Sequence, residues 1–112
     1  MLVDAHHHLW NLSEVNYPWL MEKGATRFFG DPTPIQRNYL LDEHISKLEP
    51  FKFNASVHVQ VGAKDGWQEA KWIDQIATNS KNWKIVQVAF CDLAAPDFLD
   101  QINKLSKLTS LR

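Results

Sequence analysis

Residues Phe53 to Val61 alternate in type, with Ala55, Val57, Val59 and Val61 on one face of an extended chain and Asn54, Ser56, His58 and Gln60 on the other. Period-two alternation with β-branched residues specifies a strand that has one apolar face. That face is expected to lie under helices, and the polar face to look at water or at something that uses it. The residues after the strand constrain its partners. Asp65-Gly66-Trp67-Gln68 places a capping aspartate three residues before a glutamine, in the manner of a capping box. Ala70, Ile73, Ile76 and Ala77 then repeat at helical spacing, so a helix is predicted that runs to about Asn79. Lys84 to Leu93 contains a nearly unbroken apolar run, Ile85 to Cys91, expected to form a strand covered on both faces. Strand, helix and strand at these lengths make a parallel pair joined by a crossover helix.

The flanking segments extend the alternation. A short apolar strand at Val3 to Ala5 runs into His6-His7-His8, and Leu41, Ile45 and Leu48 predict a helix over about 41–49 that Pro50 ends. Between them, Asn11 to about Asn38 mixes proline, glycine and aromatics, which marks an ordered loop, and loops of this length are usually functional. Pro96 suits the first turn of a last helix, Asp97 its positive end, and Phe98, Ile102 and Leu105 its buried stripe. Leu108 to Arg112 reads as the opening of a fourth strand. The pattern excludes all-helical and all-β folds. It does not separate an open sheet from part of a closed barrel.

A chain of 112 residues has room for one domain, spanning 1–112, and 45% hydrophobic with 22% charged residues is the balance of a globular protein. The net charge of −1 and scattered lysines exclude a nucleic-acid surface. No apolar run approaches the roughly 18 residues of a membrane span, and MLVDAHHH lacks the layout of a signal peptide. Cys91 is the single cysteine, which suits a reducing, cytoplasmic setting and is read as a small apolar residue. The five tryptophans are read as packing and anchoring groups.

Strict alternation from Val3 onward puts Asp4, His6 and His8 on one face and Ala5 and His7 on the other. Two imidazoles spaced this way can converge on one divalent ion, each nitrogen about 2.0–2.1 Å from it. Asp4 is read as a group that holds a histidine or backbone in place, and His7 as structural. His44, beside Glu43, is read as a solvated residue on the polar side of its helix. His58 is either a satisfied interior histidine or a substrate contact.

The stretch VDAHHHLWNLSEVNYPWL, and after it FNASVHVQVG, EAKWID and VAFCDLAAPDF to the terminal LR, resembles the amidohydrolase-related proteins, in particular their lactonase branch. The resemblance covers essentially the whole chain. It implies an α/β fold, the amino-terminal part of a (β/α)8 TIM barrel with about three βα units and the start of the fourth strand. It places His6 and His8 at the carboxyl end of the first barrel strand, where such barrels build their sites. They are then catalytic residues and ligands of a divalent metal ion, zinc being the first expectation, or they polarise the substrate carbonyl without a metal. Gln60, His58, Tyr17, Trp19 and Arg112 become substrate-binding candidates.

The implied activity is ring-opening hydrolysis of a lactone or related cyclic ester by an activated water. A complete barrel needs about 250 residues, and the family's other ligands and its water-activating aspartate belong to later strands. This chain alone is therefore expected to carry an incomplete site. The alternatives are a catalytically incompetent fragment and a non-enzymatic α/β binding domain. The expected partner is a small molecule, with no nucleic acid and no membrane, and an exposed sheet edge offers a route to self-association.

Overall fold

The computed structural model describes residues Met1–Arg112. Three parallel strands, β1 (Val3–His7), β2 (Ala55–Val59) and β3 (Lys84–Val88), form one sheet in the order β1-β2-β3. Four helices accompany them: α1 (Pro18–Met21), α2 (Leu41–Leu48), α3 (Gly66–Asn79) and α4 (Phe98–Leu105). The molecule is a slab of 45 × 38 × 22 Å. A thickness of 22 Å leaves room for a sheet and one layer upon it, since packed layers stand about 10 Å apart.

This corrects the partial barrel implied by the resemblance. The chain folds as an α/β unit around one three-stranded parallel sheet and shows no positive sign of part of a barrel. The predicted fourth strand does not propagate. Leu111 makes an isolated parallel bridge with Gln87, through Gln87 N–H to Ser110 O at 2.8 Å and Arg112 N–H to Gln87 O at 3.0 Å. Just before it, Thr109 and Ser110 turn their hydroxyls to Asp74 on α3 at 3.2 and 2.7 Å, and Ser110 adds its amide at 2.8 Å. These bonds anchor the segment to a helix instead of extending it along β3.

The core also sits on the other face of the sheet from the one expected. The row Ser56, His58, Ile85 and Gln87 is buried, while Val57, Val59 and Val86 are half-buried and Val88 is exposed. Trp83 and α3 explain the choice. Trp83 donates its indole N–H to Ser56 Oγ at 2.8 Å, and Gln87 Nε2 donates to Ala70 O on α3 at 2.9 Å and to Ser110 Oγ at 2.7 Å. With those polar groups paired, Leu9, Ile73, Trp83 and Ile85 close a core against them. The run at 84–93 is thus covered on one face, and only Lys84–Val88 of it is strand.

A second small core of Val15, Tyr17 and Leu20 lies under the long loop. Indole N–H bonds pin that loop: Trp10 to Arg37 O at 2.6 Å and Trp19 to Val61 O at 2.7 Å. The anchoring read for the tryptophans is what these two do. Helix α3 starts as predicted, with the Asp65 carboxylate accepting from Trp67 N–H at 3.0 Å; its bond goes to the second residue of the helix, not to Gln68.

Candidate functional site

The pairing of β1 with β2 holds the key to the histidines. Val3 pairs with Ala55 and Asp4 with Ser56, but the next pair is His7 with His58. Three steps along β1 match two along β2. The extra residue is a bulge, and it breaks the strict alternation assumed for Asp4, His6 and His8. Asp4 and His7 now face the same way, toward the buried Ser56 and His58 row, while Ala5 and His6 are exposed. His6 and His8 nevertheless stay together, their rings edge-on with centroids 5.0 Å apart.

Around them lies a cavity of about 360 Å³ that Asp4, His6, His7, His8, Trp10 and Tyr39 line, with Ile35, Arg37, His44 and Lys47 completing its wall. The loop and α2 supply the half of this wall that β1 does not. The backbone of Tyr39 bonds reciprocally to that of Trp10 at 2.9 and 3.0 Å, which brings the end of the loop beside the histidines. Arg37 holds Glu43 through two bonds of 2.7 and 2.8 Å, and Lys47 joins the same carboxylate at 3.0 Å. Those cations hold the Glu43 carboxyl down at about 2. Lys47 also stands 4.5 Å over the Tyr39 ring.

Each histidine has a distinct environment. His8 Nδ1 lies 2.8 Å from Val59 O. A carbonyl only accepts, so Nδ1 carries the proton and Nε2 keeps a bare lone pair. His7 is buried with both ring nitrogens unpartnered, stacked on His44 at 4.2 Å and edge-on to His58 at 5.7 Å. Burial first, and then its imidazole neighbours His44 and His58, push it down to about 3. His58 is 1% exposed, reaches Leu9 O at a long 3.4 Å, and is pushed down by burial to about 4. Both rings are neutral fillers at neutral pH.

His44 is buried at 6% exposure, which corrects its reading as a solvated residue. The sequence carries the reason. Leu41, His44, Ile45 and Leu48 follow the i, i+3, i+4, i+7 spacing, so His44 belongs to the apolar stripe of α2. Its Nδ1 lies 3.3 Å from the Tyr39 hydroxyl and its Nε2 3.1 Å from Asp4 Oδ2, the latter off the N–H axis. Burial lowers its pKa, against the opposing pull of Asp4. Tyr39, Arg37 and Lys47 are wall residues that sequence reasoning did not single out. Their legible signal was Tyr39, His44 and Lys47 leading into and along one short helix.

The remaining candidates lie elsewhere. Gln60 turns its Oε1 back to Gly62 N–H at 2.8 Å. Tyr17 is wholly buried in the small core, and Trp19 packs against that core. Arg112 is exposed and bonds its own neighbours, Leu111 O at 2.6 Å and Thr109 O at 3.3 Å. None of Gln60, Tyr17, Trp19, Arg112 or His58 lines the histidine cavity.

No three side chains among histidine, cysteine, aspartate and glutamate converge to hold a metal ion. A catalytic zinc ordinarily takes three protein ligands and a water, so the His6 and His8 pair does not by itself fit a metal centre. No helix is long and apolar enough to cross a membrane.

Comparison with known proteins adds one relative. The chain is 27% identical over 113 residues to the uncharacterized protein y4mH of Sinorhizobium fredii (strain NBRC 101917 / NGR234), a match that takes in 99% of this chain. The chain spans 38% of the length of that relative. No protein-family model and no solved structure matches it.

Proposed function

We propose that the histidine cavity performs water-dependent opening of a lactone or related cyclic ester, with His8 as the proton acceptor. The observation that carries this reading is the His8 Nδ1 contact with Val59 O at 2.8 Å, which leaves Nε2 bare at the cavity wall. In the proposed cycle His8 Nε2 takes a proton from water while the hydroxide adds to the ester carbonyl. When the ring carbon–oxygen bond breaks, His8 returns that proton to the leaving alkoxide, so the imidazole ends as it began. His6, exposed and edge-on to His8, adds a second imidazole to hold the substrate. The resemblance of Val3 to Leu20 to amidohydrolase-related proteins supports the choice of a cyclic ester. No step is routed through a metal, and a cytoplasmic setting belongs to the same proposal.

A panel of lactones, followed by acid release in a weakly buffered indicator solution with and without a chelator, tests this. His8→Ala is expected to lower the rate about 100-fold, the scale of general base catalysis, and His6→Ala to weaken substrate binding. Undiminished turnover by His8→Ala removes His8 from the mechanism.

A further inference from the structure

The wall of the same cavity holds a second arrangement that the lactone reading does not use: the carboxylate of Asp4, the imidazole of His44 and the phenol of Tyr39 in sequence. Asp4 Oδ2 is 3.1 Å from His44 Nε2, and the opposite ring nitrogen, Nδ1, is 3.3 Å from the Tyr39 oxygen. The Asp4 contact lies off the N–H axis and is electrostatic rather than a well-aligned hydrogen bond; a carboxylate this close, which can only accept, favours the tautomer with hydrogen on Nε2. His44 Nδ1 is then an acceptor, and the Tyr39 hydroxyl donates to it.

We propose that Tyr39 is a nucleophile toward small acyl esters, with His44 as its base and Asp4 as the group that orients His44. The order carboxylate, imidazole, hydroxyl is the one by which enzymes activate a weak oxygen nucleophile, and separations at the loose end of hydrogen-bond range are usual where no substrate is bound. Burial supports the assignment. His44 is 6% exposed, clamped by the stacked His7 ring on one side and Trp83 edge-on at 6.2 Å on another, so its orientation is held by packing. Tyr39 is half-buried and is one of the residues that line the cavity. Lys47, 4.5 Å over the Tyr39 ring, favours the negative charge that develops on the phenol.

The step balances within these groups. The Tyr39 oxygen forms a bond to the acyl carbon as its proton passes to His44 Nδ1, the bond from the acyl carbon to the leaving oxygen breaks, and that oxygen takes the proton from His44. Water then takes the same path, giving a proton to His44 and its oxygen to the acyl group, and His44 returns the proton to Tyr39. His44 exchanges the proton with the reacting oxygens, whereas Asp4 acts through His44 and is a positioning residue.

The test uses p-nitrophenyl acetate on the 112-residue chain, with acid quenching and peptide mass spectrometry to place the acetyl group. The chain has two tyrosines, and the other, Tyr17, is wholly buried, so an adduct on Tyr39 is unambiguous. Tyr39 is expected to acetylate faster than any lysine. His44→Gln is expected to slow this about 100-fold, and Asp4→Asn, which leaves the imidazole in place, by a smaller factor. Tyr39→Phe is expected to remove the adduct and keep the melting temperature. His8→Ala is expected to retain the adduct, so failure of the His8 reading and failure of this one are distinct. Absence of a Tyr39 adduct in the unsubstituted chain overturns the proposal, as does acetylation of Tyr39 in Asp4→Asn or His44→Gln at the unsubstituted rate.

Discussion

A glutamate with 2% of its surface exposed needs a partner, and Glu69 has one. Its Oε1 accepts from Val61 N–H at 3.1 Å, just beyond the end of β2, so the first turn of α3 is fastened to the chain leaving the sheet. The Tyr17 hydroxyl adjoins it without a well-aligned hydrogen bond, and burial together with the Glu69 charge drives that phenol's pKa upward. Burial likewise raises Glu69 to about 6, against the pull of the Val61 amide. The folded state therefore holds a proton that the unfolded chain has already released. Stability attributable to this residue falls as pH rises from about 4.5 to about 6 and is level above, by about 2 kcal/mol in all. Glu69→Gln keeps an acceptor for Val61 and cannot ionise. Its stability relative to the unsubstituted chain is expected to rise through that window and to level off above it, as urea unfolding of both proteins at pH 4.5, 5.5 and 7 will read. A difference that does not change with pH would show that Glu69 is not the titrating group.

Between elements, single side chains decide which segments are held. Asp74 on α3 receives three bonds from Thr109 and Ser110, and although burial alone would raise its pKa, those bonds keep its carboxyl below the usual range. Asp74→Ala is expected to release the last four residues and cost about 1–3 kcal/mol, the scale of leaving buried partners unpaired. Hydrogen exchange at the Arg112 amide, bonded to Gln87 O, should quicken while the amides of α3 do not. The same logic separates the features legible in the sequence from those that were not. Helices α2 and α3 and the cores of β2 and β3 were legible because apolar spacing and the Asp65 cap are local signals. The covered face of the sheet was not, since it depends on Trp83 finding Ser56 and Gln87 finding Ala70 across long separations. His6 and His8 do lie side by side, although the strict alternation used to place them on one face with Asp4 does not hold through the bulge. The bulge that turns His7 inward was not legible, because a register shift is a property of two strands and alternation describes one.

At the scale of the whole molecule, only 18 of 112 residues are buried, so each buried ionisable group weighs heavily on stability. His7 and His58 are two of them, held neutral by burial at about 3 and about 4. Below the ordinary histidine value of 6.5 the unfolded chain takes up protons that the folded chain refuses until those lower values are reached. Stability is thus fully present above pH 6.5 and lost as pH falls, at about 1.4 kcal/mol per pH unit for each ring. His44, also lowered by burial, adds in the same direction, and Glu69 opposes it only between about 4.5 and 6. From pH 6.5 to 4 the two rings remove about 7 kcal/mol and Glu69 returns about 2, a net loss that matches the low end of an ordinary reserve of about 5–15 kcal/mol, so cooperative unfolding is expected at or below about pH 4. Near-ultraviolet circular dichroism will report it, because Trp83 lies edge-on to His44 in the same cluster. His7→Phe isolates the cause. Both His7 nitrogens are buried without partners, so a phenyl ring removes two unsatisfied atoms and the proton uptake together. Its acid midpoint is expected at least about half a pH unit below that of the unsubstituted chain, with a higher melting temperature at pH 7. An unchanged midpoint would place the acid sensitivity outside the histidine cluster.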